Sequence, residues 1–199
     1  MLFGEGCTFP GSKFAITQLI EPLQLNQDMT VVDIGAGIGT ATRIIAQETG
    51  ASVAGLELDP GQVELAQHFA DEAGLADQVT VLEGALGNCA IDPDSRDGIF
   101  GREVLLGVAD KATAFMDMWT ILKPGGQILL VDFVAKTPAG TKEDADEWAK
   151  FEKMKPHMTT MDQIKQSLFA THLDVHKAYI YLTPFAAIFC AAWPARRIA

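Results

Sequence analysis

Apolar and polar positions follow two rhythms along this chain, and their succession predicts its elements. Ile16, Leu19, Ile20 and Leu23 recur at helical spacing, which predicts an amphipathic helix from about Ser12 to Leu23. Thr30-Val-Val-Asp-Ile34 is a short β-branched run and predicts a strand, and Ile44, Ile45 and Ala46 predict a helix from about Gly39 to Thr49. Ser52 to Leu58, bounded by Gly50 and Asp59-Pro60-Gly61, reads as strand two. Leu65, Ala66, Phe69 and Ala73 mark a further helix closed by Gly74, and Val79-Thr-Val-Leu82 is strand three. After the turn-rich stretch Asp92–Gly98, strand four is expected to start at Ile99-Phe100. Ala112, Phe115, Met116 and Trp119 form a helical stripe ending at Lys123-Pro-Gly-Gly126, and Gln127 to Phe133 is strand five. Strands alternating with helices at this spacing predict an α/β fold with a parallel sheet and helices on both faces.

Beyond Phe133 the rhythm changes. Lys136 to Lys155 is polar and charged, as a solvated helix face or loop would be. Thr160-x-x-Gln163 matches a capping box and predicts a helix with Met161, Ile164 and Leu168 on one face. Two extended stretches follow, Asp174–Leu182 and Phe185–Ala192, close enough in sequence to pair as an antiparallel hairpin. The expected organisation is one domain. Residues 1–28 form an N-terminal segment and helix, 29–133 the core, 134–160 a variable segment, and 161–199 a C-terminal helix and strand pair.

Composition narrows the partners. A chain of 199 residues, 48% hydrophobic and 21% charged, is long enough for one substantial core and is not of disordered type. Its net charge of -11 repels phosphate backbones and anionic lipids, so neither nucleic acid nor a membrane surface is expected as a partner. Cys7, Cys89 and Cys190 lack metal-ligand spacing and read as reduced thiols, and no metal site is expected. Met1-Leu-Phe-Gly-Glu lacks a basic region followed by an apolar stretch, and the apolar tail Tyr179–Trp193 is interrupted at Thr183-Pro184. That tail also falls short of the ~20 residues needed to span a bilayer. A cytoplasmic location is therefore expected, with association as a homodimer left open.

The chemistry concentrates in Val31-Val-Asp-Ile-Gly-Ala-Gly-Ile-Gly-Thr40. Gly35, Gly37 and Gly39 permit positive φ and present no Cβ, so the loop can bring its backbone against a ligand at the head of the following helix. Glu57, 24 residues after Asp33, ends strand two, where a carboxylate can accept hydrogen bonds from ribose hydroxyls. The D-x-G-x-G-x-G form resembles motif I of class I S-adenosylmethionine-dependent methyltransferases. Asp97-Gly-Ile-Phe-Gly-Arg-Glu-Val104 and Leu122-Lys-Pro-Gly-Gly126 resemble later motifs of the small-molecule, type 11/25-like branch. This resemblance, which covers Phe3 to Phe133 well and the remainder loosely, implies a Rossmann-like, doubly wound, mostly parallel seven-stranded sheet ending in an antiparallel hairpin. It implies S-adenosyl-L-methionine as cofactor, held by Asp33, Gly35, Ala36, Gly37, Gly39, Glu57, Leu58, Ala85, Leu86 and Arg102. Residues 1–28 would then cover the cofactor and 134–160 would lie on the substrate side.

A finer resemblance links Phe3-Gly-Glu-Gly-Cys-Thr-Phe-Pro-Gly-Ser12 and Gly101-Arg102-Glu103 to phosphoethanolamine and glycine-type N-methyltransferases, making Glu103 the acid expected to face the methyl donor. The chain departs from them in three places: Gly107 stands where their catalytic His lies, Phe133 replaces their Tyr, and Glu83-Gly84-Ala85 lacks the acid that holds adenine. Asn88 or backbone near Ala85 and Leu86 would have to serve instead. His157, in the variable segment, is a second catalytic candidate, whereas His68, His172 and His176 read as surface or core residues. Methyl transfer needs mainly alignment of donor and acceptor. With no His/Asp pair in view, N- or C-methylation of a small or medium organic acceptor is favoured over O-methylation, which needs a general base. Two alternatives share these motifs: a cofactor-binding module without catalysis, and an NAD-dependent oxidoreductase.

Overall fold

The computed structural model describes residues 12–135, 156–169, 171, 173–181 and 186–192. Five strands, β1 (Thr30–Ile34), β2 (Ser52–Glu57), β3 (Val79–Glu83), β4 (Arg96–Arg102) and β5 (Leu122–Phe133), pair in parallel in the order 3-2-1-4-5. Past β5 the sheet continues with β7 (Ala186–Ala192) and then β6 (Asp174–Tyr181), each pairing antiparallel to its neighbours. The strand order reverses between β1 and β4. The connections leave in opposite directions there and open a crevice at the carboxyl ends of those strands.

The β1 run Val31-Val-Asp-Ile is apolar on both faces because helices cover both. Val31 packs with α1 (Ser12–Ile20), α2 (Thr40–Thr49) and α3 (Pro60–Glu72), whereas Val32 and Ile34 pack with α4 (Lys111–Ile121) and α5 (Met161–Phe169). In β5, Leu129 faces the first layer and Ile128 and Leu130 the second. The two layers enclose Phe100 and Phe115, both fully buried. The expected capping box forms at α5: Thr160 N–H donates to Gln163 Oε1 at 2.8 Å, and Gln163 N–H to Thr160 Oγ1 at 3.3 Å.

Several boundaries and faces differ from expectation. β4 starts at Arg96 and β5 at Leu122, so both enclose residues expected as turns. The cause is Asp97, whose carboxylate accepts from Thr30 N–H and Oγ1–H, each at 2.8 Å, and from Lys123 Nζ at 2.7 Å. That tie draws both turns into the sheet ahead of a register shift at Gly98. Asp59-Pro60-Gly61, expected to bound β2, does so and also opens α3, with Asp59 capping the amides of Gly61 and Gln62. On α3 the core face is Ala66 and Ala70, and Leu65 is exposed. On α4 it is Ala114, Phe115, Met118 and Ile121, leaving Met116 exposed. A helix that packs closely on a sheet needs small residues where backbones approach, and the stripe chosen by size alone missed this rotation. Segments 3–11 and 136–155, and the histidines at 172 and 176, lie outside the described residues or side chains.

Candidate functional site

The glycine loop and the ends of β2 and β4 build the crevice. Gly35, Gly37 and Gly39 all have positive φ, at 69°, 55° and 73°, so the tight turn depends on residues without a Cβ. The amides of Gly35 and Ala36 both donate to Leu56 O at 2.9 Å, which ties the loop to β2. Ala36 is buried against Gly55, where a Cβ would come within 2.9 Å of the Ala36 Cβ. α2 follows Gly39, its N-cap residue, which supplies no side-chain acceptor; of its first-turn amides, the Thr42 N–H donates to the Asp33 carboxylate. Arg43, buried in α2, donates from Nη1 to Ile38 O at 2.8 Å and stacks on the Phe69 ring.

Asp33 is buried at 2% exposure and accepts from Thr42 Oγ1 at 2.6 Å, so its carboxylate braces α2 behind the loop. Burial raises its pKa to about 7, against the hydrogen bonds from Thr42 and the nearby Arg102 charge, while Glu57 adds to the rise. Glu57 accepts three backbone amides: Gly37 on Oε2 at 2.9 Å, and Leu58 and Asp59 on Oε1 at 2.8 and 3.0 Å. A carboxylate offers about four lone-pair sites, so it keeps room for a further donor while it fixes the loop. Leu58 follows with its side chain 70% exposed. Beside β2, at the end of β3, Gly84 N–H donates to Glu57 O at 2.9 Å, and Ala85 and Asn88 form a bridge in the β3–β4 connection. Ala85 and Leu86 are half-buried there.

Glu103 leaves β4 with φ at 60°, in the left-handed region that a non-glycine residue rarely adopts. Its N–H donates to Val131 O at 2.8 Å, and its half-exposed carboxylate lies 3.5 Å from Arg102 Nε. Glu103 does not open a helix: a single 3₁₀ turn, Leu105–Gly107, follows, and α4 begins only at Lys111. Val104 lies beside Gly35, so this crossover borders the glycine loop. His157 has an exposed ring, and its backbone makes the contacts: its N–H donates to Leu106 O and its carbonyl accepts from Lys111 Nζ, both at 2.7 Å.

Sequence reasoning missed a buried polar pair beneath this crossover. Asp132, 3% exposed at the end of β5, accepts from Leu105 N–H at 2.5 Å, Phe133 N–H at 2.9 Å and Leu106 N–H. Burial raises its pKa to about 6, with those amides and Lys111 lowering it. Lys111, 5% exposed, donates to the carbonyls of Val108 and His157, and desolvation holds its pKa below the usual lysine value. The available signal was an acid closing the otherwise apolar run Ile128-Leu-Leu-Val-Asp132. Among the described residues no cluster of His, Cys, Asp and Glu could hold a metal, and no helix is long and apolar enough to cross a membrane.

A family model for a methyltransferase domain matches residues 25–179. The chain is 30% identical over 127 residues to Methyltransferase GfsG of Streptomyces halstedii, covering 64% of this chain and 45% of that one. It is 30% identical over 146 residues to Phosphoethanolamine N-methyltransferase 1 of Zea mays, covering 72% of this chain and 28% of that one. The chain thus spans less than half the length of these curated relatives. Among solved structures, geranyl diphosphate C-methyltransferase from Streptomyces coelicolor A3(2), bound to Mg2+, geranyl-S-thiolodiphosphate and S-adenosyl-L-homocysteine, superposes with a TM-score of 0.79 at 16% identity. The match covers 90% of this chain and 75% of that one, a likeness of fold.

Proposed function

This chain belongs to the methyltransferase-domain family, and from that premise we propose that it transfers a methyl group from S-adenosyl-L-methionine to a small or medium organic acceptor. The observation that carries the proposal is the join between Glu57 and the glycine loop, where the Glu57 carboxylate accepts the Gly37 amide at 2.9 Å. This fits the cofactor. The left-handed glycines let the loop turn tightly against Val104, Gln62 and Ala66, Glu57 keeps room for a ribose hydroxyl, Leu58 offers an exposed apolar surface to a flat base, and α2 presents its N-terminus to a polar tail. When bound, the cofactor supplies an activated methyl on a sulfonium, ready for in-line displacement.

The protein's own task is therefore alignment and exclusion of water. Glu103 is the acceptor-facing carboxylate, placed to hold a cationic acceptor or to receive a proton from it. His157, whose exposed ring lies on the segment after 155, is a secondary candidate. N- or C-transfer is favoured over O-transfer because the described residues contain no His/Asp pair poised as a general base. The phosphoethanolamine N-methyltransferase relative supports a small polar acceptor. The C-terminal pair β6 and β7 completes the seven-stranded sheet of this reading.

A second reading keeps the cofactor and drops the catalysis. It rests on Ala85 in place of an adenine-binding acid and Gly107 in place of a catalytic His. Incubation with methyl-labelled S-adenosylmethionine and panels of amines, carbon acids, alcohols, RNA and DNA separates the two. Label appearing in a small acceptor supports transfer, label confined to RNA or DNA contradicts the acceptor class, and cofactor binding without any transfer favours the silent module.

A further inference from the structure

We propose that Asp132 is the positioning residue of this site: from beneath the β4–α4 crossover its buried carboxylate pins the turn after Glu103 and so fixes where the Glu103 carboxylate stands. The inference rests on the reading of Glu103 as the acceptor-facing acid. It joins observations which that reading does not use.

Two anchors hold the crossover to β5. The first is the Glu103 N–H bonded to Val131 O at 2.8 Å. The second is Asp132 itself, accepting the amides of Leu105 and Leu106 and, at its own end, of Phe133. Between them lies Glu103 at φ 60°. A non-glycine residue stays in that region only where its surroundings over-determine it, and here the over-determination comes from β5 on both sides of the strained residue. Val104, between the anchors, lies against Gly35, so the same pin sets the distance between Glu103 and the glycine loop.

The pin carries an outer layer as well. Lys111 sits at the head of α4 with Nζ bonded to Val108 O and His157 O, and His157 N–H bonds back to Leu106 O. Ala135 N–H adds a bond to Thr159 O at 3.0 Å. The segment from 156 to 160 is thereby fastened to the turn that Asp132 holds. The charged or titratable groups on the described elements around Asp132 are Lys111 on α4, Arg102 at the end of β4, Glu103 on the crossover and His157 on the outer segment. Of these, Lys111 is the one that bears on it directly and favours its ionised form. Buried away from water and bonded to amides, the Asp132 carboxylate is a support and not a reacting group.

The test uses the whole chain, labelled for NMR, and needs no acceptor. In the wild type, the Glu103 amide and Cα resonances should move with the same midpoint as the Asp132 carboxyl carbon, near pH 6. Asp132→Asn should abolish that step and lower the exchange protection of the Leu105 and Leu106 amides by about ten-fold or more. Its affinity for S-adenosylhomocysteine should stay at the wild-type value, since Glu57 and the glycine loop are untouched. The wild-type titration keeps the proposal exposed even if the variant does not fold. Glu103 signals that follow only its own carboxyl, or native protection at Leu105 and Leu106 in Asp132→Asn, would overturn it. Failure of S-adenosylhomocysteine to bind the wild type would instead sink the methyl-transfer reading, and leaves the NMR result to be read separately.

Discussion

Glu103 holds a backbone conformation that costs a non-glycine residue on the order of 1–3 kcal/mol, and it does so beside the glycine loop. Strain of that size at a carboxylate bordering the crevice is what a site that must fix an acid in space would retain. Glu103→Gln keeps the shape and removes the charge. Turnover should fall by roughly 10²-fold or more while S-adenosylhomocysteine affinity holds; a variant with wild-type turnover would make Glu103 a structural residue. Asp33 is different in kind. It is buried and committed to Thr42, so Asp33→Asn should disturb the start of α2 and the glycine loop more than any direct ligand contact.

Among the elements, the second helical layer depends on side chains that β5 and α4 enclose completely. Phe115→Ala should destabilise the fold by about 3–5 kcal/mol, as deletion of a fully buried aromatic does, measured by denaturant unfolding with the m-value unchanged. Thr160→Ala, which breaks the capping box of α5, should cost only about 1 kcal/mol. A loss for Thr160→Ala equal to that for Phe115→Ala would mean that the buried Thr160 does more for α5 than cap it. β1, α2, β2 and the capping box were legible in the sequence because each carries its own local signal: a β-branched run, a glycine turn, an acid at a strand end, a reciprocal side-chain pair. The starts of β4 and β5 were not, because the Asp97 tie to Thr30 and Lys123 joins residues far apart in the chain. The Asp132–Lys111 support was hidden for the same reason: its partners are backbone groups of other elements, and backbone groups leave no mark in a sequence.

At the scale of the whole molecule, two buried acids set the response to pH. Asp33 and Asp132 have folded pKa values raised to about 7 and about 6. Between roughly pH 4 and these values the folded chain holds protons that the unfolded chain has released, so stability falls as pH rises through that window. Asp97, held below its ordinary value, acts the other way and loses its contribution only as the pH drops through its lowered pKa. Melting temperature should therefore rise on acidification from about pH 7.5 to about pH 5, and Asp33→Asn should remove part of that slope. An equal slope in wild type and Asp33→Asn would assign it to relief of the net charge of -11 instead. The most direct test of the cofactor site is calorimetric titration of the wild type and of Glu57→Ala with S-adenosylhomocysteine, and with NAD as the competing cofactor. The site described here predicts binding of S-adenosylhomocysteine and not of NAD. It also predicts a loss of about ten-fold or more in Glu57→Ala, because a charge-assisted hydrogen bond of about 1.5–3 kcal/mol to the ligand disappears. Wild-type affinity in a folded Glu57→Ala protein, or binding of NAD alone, would contradict it.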